Sequence, residues 1–414
     1  MAKSSWGKVY FKNSYAGRLQ EEPGERYIFT YDKSYIENNY PPIAYSLPLR
    51  EAPYISENKL HPFFDNLIAE GWLANAQARS LGINQNNRFA LLLGFGEDLA
   101  GAVSIIDPEP LPIQNLQNLD EITAAALSVR ASLSGIQRKL LLKKEKHHYR
   151  LPQPGELSTH IAKLRSGNLN ELLEIEYLST LAIKILLPDD NAVAIEITDI
   201  DIATTKETAL IIPRFDRTPL GRRSYHFEEF NQLLERAAGD DKYNGSYEDM
   251  AYFIKKTPGC IPFEIIRLYK RILAYLLIGN TDAHFKNFAM FHTRDGLRLT
   301  PAYDLVAASL YKEFQTIALS LGGTKDLQIG ALKSKHIVAL GHGFGLSDDE
   351  IISCIKDIGK NLDQTLENIL DSSIGSLSIR KKLIQKTEAR WNGSFTSIGK
   401  FLSKKQGKGV KNKS

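Results

Sequence analysis

The strongest constraint on this chain is a long apolar stripe that runs directly into a polar loop. Residues 265–278 repeat apolar side chains at helical spacing, which predicts a long buried helix. Gly279 ends it as the residue just past the cap, and the polar segment IGNTDAHFKNFAMF carries Asp282 and Asn287 into a loop. A small hairpin is expected next, from residues 288–291, the turn TRDG and residues 297–300, and Asp304 comes after it in LTPAYDLV. The fold must therefore hold a polar loop and an acidic residue on either side of a short ribbon, both fed by one helix.

The rest of the chain divides around that feature. Residues 6–11, 27–31 and 103–106 read as strands, and His61-Pro62 opens a helix whose Phe63, Phe64, Leu67, Ile68 and Trp72 share a face. The proline-rich stretch DPEPLPIQN, from Asp107, marks the first boundary. From about residue 128 short strands (136–142, 148–151, 159–164, 192–200 and 209–212) enclose one helix, whose stripe runs from Leu172 to Ile185 and stops at Pro188. After Arg217 the pattern is mainly helical, with stripes at 227–234 and 265–278, broken only by the hairpin. The expected class is α+β: an N-terminal α+β unit over 1–110, a small-sheet lobe over 128–217, a helical lobe over 218–405, and a basic flexible tail over 406–414.

Composition excludes several classes. Hydrophobic residues make up 43% and charged residues 24%, as in ordinary globular proteins. The net charge of +4 is small, and Lys400, Lys404, Lys405, Lys408, Lys411 and Lys413 supply much of it, so charge alone does not point to nucleic acid. Two distant cysteines, Cys260 and Cys354, argue against a disulfide framework or zinc site and for a reducing compartment. No secretory h-region opens the sequence and the apolar run 272–278 is too short for a bilayer, so a soluble, cytoplasmic protein without membrane partners is expected.

Asp282 and Asn287 stand in the spacing D-x-x-x-x-N of a kinase catalytic loop. Phosphoryl transfer needs a carboxylate beside the attacking hydroxyl and hard oxygen ligands for Mg²⁺ near the phosphates, which Asn287 and Asp304 can supply. His284 can brace the loop through its ring nitrogens, and Lys286 is either a phosphate contact or a solvated charge. Lys163 lies on a strand, THIAKL, from which an ammonium can neutralise α- and β-phosphates, and Glu176 on the next helix can pair with it. ASLSGIQRK occupies the place of a phosphate-covering loop with one glycine, Gly135; the backbone of Gly135, Ile136 and Gln137 and the side chain of Lys139 are its candidate phosphate contacts.

Taken together, SLSGIQRK, THIAKL, PRFDR, IGNTDAHFKNF and LTPAYDLV, with FFDNLIAEG and GFGEDLAGAV upstream, resemble the HipA family over nearly the whole chain. The resemblance implies an N-terminal α+β subdomain followed by a bilobal protein-kinase-like fold with a mainly helical C-lobe. It implies an ATP- and Mg²⁺-dependent serine/threonine protein kinase, the toxin of a toxin–antitoxin pair. Asp282 would be the catalytic base, and Asn287 and Asp304 the metal ligands. Lys163 would bind phosphates, and Ser134, Gly135, Ile136, Gln137, Arg138 and Lys139 would form the loop over ATP. Pro213, Arg214 and Phe215 would be the hinge beside adenine, and Tyr303 would line the pocket with His284 and Lys286. Pro213 departs from the acidic residue common there and has no N–H to offer.

Family members also phosphorylate a serine of the phosphate loop. Ser132 matches that position, and Ser134 is a second candidate. The implied partners are a HipB-like helix-turn-helix antitoxin, operator DNA reached through it, and a protein substrate of the translation apparatus such as an aminoacyl-tRNA synthetase. The alternatives are a co-repressor with little catalysis and a small-molecule or lipid kinase with the same lobes.

Overall fold

A computed structural model describes residues 5–113, 119–132, 137–146, 148–165, 167 and 169–402. The tail expected at 406–414 and the loop residues Ser134, Gly135 and Ile136 lie outside these. The chain groups into two compact units, Met1–Asn168 with Ala194–Asp241, and Leu169–Val193 with Lys242–Ser414. These units cut across the expected 128–217 segment, because its helix packs with the helical residues of the C-terminal half.

The first unit opens with an antiparallel sheet of β1 (Trp6–Phe11), β2 (Ser14–Glu22), β3 (Arg26–Tyr31), β4 (Tyr54–Glu57) and β5 (Val103–Ile106), in the order β4-β3-β2-β1-β5. Alternation turns Val9, Phe11, Leu19, Phe29 and Tyr31 inward. They pack with residues of the short helices α1 (Lys33–Glu37), α2 (Pro62–Asp65), α3 (Gly71–Leu81) and α4 (Arg88–Gly94). The single helix expected from Phe63 to Trp72 is two. Gly71 takes a left-handed φ of 60°, and the Asn66 amide donates to the carbonyls of Pro62 and Arg236 at 2.9 Å each, which stops α2.

The second sheet is β6 (Lys139–Glu145), β7 (His148–Arg150), β8 (His160–Leu164), β9 (Glu196–Ile202) and β10 (Thr205–Pro213), in the order β7-β6-β8-β10-β9. Leu140, Leu142, Ala162, Leu164, Ala209 and Ile211 cover one face, against Leu73 of α3 and Ala125 and Ala126 of α5 (Glu121–Ser128). The stripe at 227–234 is not one helix but β11 (His226–Glu229) and a single turn, α7 (Phe230–Leu233). His226 Nδ1 accepts from Ala102 N and the buried Glu228 from Tyr45 N, which holds that segment extended.

A buried ion cluster joins the two sheets. Arg214 Nη1 and Arg217 Nη2 donate to Asp98 Oδ1 at 3.0 and 2.8 Å, and both guanidinium groups reach Asp216 Oδ2, at 2.8 and 2.7 Å. The Leu99 carbonyl accepts from both arginines, and Ser158 Oγ donates to Asp98 at 2.7 Å. Burial by itself raises the Asp98 and Asp216 carboxyls, but Arg214 and Arg217 outweigh it and hold both below the usual carboxylate range.

The second unit centres on α9 (Phe263–Ile278), buried from Leu268 to Ile278 except at Lys270. Around it lie α6 (Leu172–Leu186), α8 (Tyr247–Lys256), α11 (Asp348–Lys360) and α13 (Leu377–Arg390), with α10 (Ser334–Gly343) and α12 (Leu362–Asp371) outside them. The ribbon of β12 (Ala289–Thr293) and β13 (Gly296–Leu299) pairs Met290 with Leu299. Fully buried Arg271 ties this unit together, its Nε and Nη2 on Asp190 at 2.6 and 2.7 Å and Nη2 also on the Thr300 carbonyl at 2.7 Å. Cys260 and Cys354 are free thiols, and among the described residues no helix is long and apolar enough to cross a membrane.

The ion cluster generates a stability test. Asp98→Ala strands two buried guanidinium groups, so it should cost about 3–5 kcal/mol in urea unfolding. Asp199→Ala, at an exposed pair with Lys206, should leave the midpoint nearly unchanged. Because the folded Asp98 and Asp216 values are depressed, their contribution is full above the unfolded range and lost as pH falls through the folded values. The deficit of Asp98→Ala should thus be equal at pH 7 and pH 5 and shrink only below about pH 4.

Candidate active site

The helix α9 delivers the polar loop. Gly279 takes a left-handed φ of 84°, and the N–H groups of Gly279 and Asn280 both donate to the Tyr275 carbonyl, at 3.0 and 2.8 Å. Asn280 Oδ1 accepts from Asp282 N at 3.2 Å, and Thr281 is fixed by a bond from its hydroxyl to the Phe314 carbonyl at 2.8 Å. Residues 283–287 are buried while Asp282 is exposed, so the loop presents one carboxylate from a packed base.

Asn287 and Asp304 meet at its far end. Asn287 Nδ2 donates to Asp304 Oδ2 at 2.6 Å, and Asn287 Oδ1 accepts from His284 N at 3.1 Å. Asp304 is exposed, with a left-handed φ of 58°, a conformation that aspartate tolerates better than most residues. Tyr303 donates its hydroxyl to the Lys286 carbonyl at 2.8 Å, and Lys286 itself is 5% exposed. The exposed Asp304 carboxylate and the Asn287 amide oxygen are hard-oxygen donors of the kind Mg²⁺ takes. For Asn287 to ligate through Oδ1, its bond to Asp304 has to reorganise, because an amide nitrogen cannot serve as the ligand.

Neighbouring segments brace the loop at positions that sequence reading missed. Tyr243 Oη donates to Asp282 Oδ1 at 3.0 Å, and its ring meets His284 edge-on at 5.0 Å between centroids. Tyr247 Oη donates to the Ala283 carbonyl at 3.0 Å. Behind Gly279, Arg390 donates to the Leu277 carbonyl at 3.1 Å and to Ser309 Oγ at 2.7 Å. Burial lowers Arg390 to about 10, and the open carbonyl end of α9 serves as its counter-charge. Neither periodicity nor a motif in the sequence marks these tyrosines or Arg390.

In the first unit Lys139 and Lys163 pair directly across β6 and β8, so their side chains leave the same face, opposite the apolar layer. Lys163 is only 6% exposed. Ala131 and Gln137 both rest on α3. Gln77 Nε2 donates to the Ala131 carbonyl at 2.9 Å, and Trp72 Nε1 to the Gln137 carbonyl at 3.2 Å. Ser132 is 5% exposed, and its hydroxyl has no partner among the described residues.

Two expected contacts come out differently at the side-chain level. The Arg214 guanidinium is consumed by Asp98, Asp216, Ser158 and Leu99, so no side-chain donor of Arg214 is left for a nucleotide. Arg138 donates to Asp120 and Thr123 and lies over the Trp72 ring, which ties it to α5 and α3. Pro213 ends β10 exposed, and Phe215 packs edge-on with Phe227 at 4.9 Å. Glu176, buried in the second unit, is not the solvent-facing charge that helical residues of its type usually are.

Residues 131–366 match the family model of the HipA-like C-terminal domain, and residues 7–106 that of the HipA N-terminal domain. The chain belongs to the HipA family. It is 25% identical to the serine/threonine-protein kinase toxin HipA of Shewanella oneidensis over 82% of this chain and 83% of that one. It is 29% identical to Y4dM of Sinorhizobium fredii, itself named only as a candidate kinase, over 80% and 84% of the two chains. The structure of Shewanella oneidensis HipA, solved with HipB and its operator DNA, superposes with a TM-score of 0.76 at 21% identity, covering 95% of this chain and 99% of that one. The HipA fold, α+β and kinase-like, is therefore the fold of this chain. At the level of the family it is a HipA-like kinase.

Gly279 is the position at which HipA-family helix and loop geometry can be tested here. A Cβ at Gly279 would strike Ser309 Oγ and Arg390 as well as take a left-handed φ. Gly82, after α3, has a φ of 66° with open space around it. Gly82→Ala should cost about 1–2 kcal/mol, the backbone term alone. Gly279→Ala should lose clearly more stability in the same denaturation assay and lose kinase turnover with it.

Proposed function

We propose that this HipA-family chain is a cytoplasmic, ATP- and Mg²⁺-dependent serine/threonine protein kinase that acts as a toxin by phosphorylating a translation component, such as an aminoacyl-tRNA synthetase. The observations that support the reading are the exposed Asp282 on a braced loop and the bond from Asn287, at the end of that loop, to the exposed Asp304. Asp282 takes the proton of the acceptor hydroxyl as its oxygen attacks the γ-phosphorus. Asn287 and Asp304 hold Mg²⁺, which when bound offsets the phosphate charge. Lys139 and Lys163 bind the phosphates from their shared sheet face, together with the Ser134–Gly135–Ile136–Gln137 backbone. Pro213, Arg214 and Phe215 serve adenine through backbone carbonyls and the Phe215 ring, while Tyr303, His284 and Lys286 line the nucleotide side of the loop. A HipB-like antitoxin, and operator DNA through it, are the proposed partners, as in the Shewanella complex.

Ser132 is the proposed autophosphorylation site. Its side chain is buried, so modification requires Ser132 to come out of that buried position. The added charge then opposes its return beside the nucleotide phosphates.

Asp282→Asn should abolish transfer and leave ATP affinity within a few-fold of normal, whereas Asp304→Asn should also weaken Mg²⁺-dependent ATP binding in calorimetry. Near-normal transfer by Asp282→Asn, or unchanged Mg–ATP affinity in Asp304→Asn, rejects the respective role. Peptide mass spectrometry after incubation with Mg–ATP should find phosphate on Ser132. Loop phosphate persisting in Ser132→Ala moves the site to Ser134, and no loop phosphate in active protein removes the mechanism.

A further inference from the structure

Asp282 is exposed in a loop whose next five residues are buried. The Tyr243 phenol donates a hydrogen bond to its Oδ1 at 3.0 Å. The phenol is itself held. Its ring stands edge-on to His284 with an interplanar angle of 81°, and the buried Lys242 ammonium lies 5.4 Å from the ring centroid.

The short segment YNGSY, residues 243–247, packs against the loop through Tyr243, Gly245 and Tyr247. Tyr243 meets Asp282 and His284, and Tyr247 meets the Ala283 carbonyl. Gly245 lies so close to Phe285 that a Cβ would come within 2.8 Å of its ring. The Gly245 carbonyl accepts from both the N–H and the hydroxyl of Ser320 at 2.9 Å, which anchors the segment from behind. Four consecutive loop residues are thus read by one five-residue segment.

We propose that Tyr243 is a positioning residue for phosphoryl transfer: by holding Oδ1 of Asp282 it turns Oδ2 toward the acceptor hydroxyl. This rests on the assignment of Asp282 as the base. A carboxylate has lone pairs enough for both partners, so the phenol orients the group without displacing the substrate. During transfer the acceptor oxygen bonds to the γ-phosphorus, the bond from that phosphorus to the β,γ-bridging oxygen breaks, ADP leaves, and the acceptor proton passes to Oδ2. Tyr243 keeps its own proton throughout.

The test uses the full chain, radiolabelled ATP with Mg²⁺, and transfer into the chain's own serines and into casein. Tyr243→Phe keeps the ring on His284 and removes the bond to Oδ1. It should lower kcat between about 10- and 100-fold while KM for ATP stays within twofold and the thermal midpoint is unchanged. Wild-type protein without transfer, or an active Asp282→Asn, overturns the assignment of the base and this inference with it. An inactive Asp282→Asn beside a Tyr243→Phe at wild-type rate or faster overturns the inference alone, as does a KM for ATP that rises in step with the loss of kcat.

Discussion

The buried ion cluster of Asp98, Asp216, Arg214 and Arg217 is the constraint on which the first unit depends. Two carboxylates and two guanidinium groups, with side-chain exposures between 0% and 4%, are stable out of water only as a closed set. Asp98 belongs to the N-terminal sheet region, and the other three come directly after β10, so the set can close only when the two sheets are correctly docked. The nearby half-buried Arg223 is lowered to about 10 by partial burial and by Arg217. A hydrophobic interface would have allowed sliding. Charges that must find particular partners do not, which is the case for reading the cluster as a source of specificity more than of net stability.

That rigidity reaches Ala131 and Gln137 through α3. Its Leu73 enters the core of the second sheet, while Gln77 and Trp72 hold Ala131 and Gln137. The N-terminal subdomain therefore does structural work on a loop far from it in sequence. In the second unit Arg271 plays the corresponding part, fastening Asp190 after α6 to the Thr300 carbonyl shortly before Asp304. Burial opposes its charge, but Asp190 outweighs that and raises the guanidinium above its ordinary value. In both units a buried arginine bonded to aspartate and to backbone carbonyl sets the stretch that carries polar chemistry.

Much of this was legible because the relevant signals are local. The stripe of α9, the helix-ending Gly279 and the ribbon after it arise from periodicity and turn chemistry within a few residues. Where the local pattern misled, a distant partner had decided. Phe63 to Trp72 has a helical stripe, yet Asn66 bonds to Arg236 and Gly71 turns left-handed, so the helix breaks. Residues 227–234 carry a stripe too, but Ala102 and Tyr45 draw His226 and Glu228 into an extended segment. Arg214 sits in a motif read as a nucleotide hinge, and only the fold shows that its side chain is spent on Asp98 and Asp216.

The sequence by itself determined the family, the α+β class, the long helix and the order in which Asp282, Asn287 and Asp304 arrive, since these depend on residue type, spacing and turn propensity along the chain. Only the tertiary structure decided that Lys139 stands across from Lys163, that Tyr243 reaches Asp282, and that Arg390 closes the end of α9. Each of those contacts joins residues whose separation in sequence carries no periodic signal. Register across strands and packing between helices are set by the whole core at once, and no local pattern encodes them.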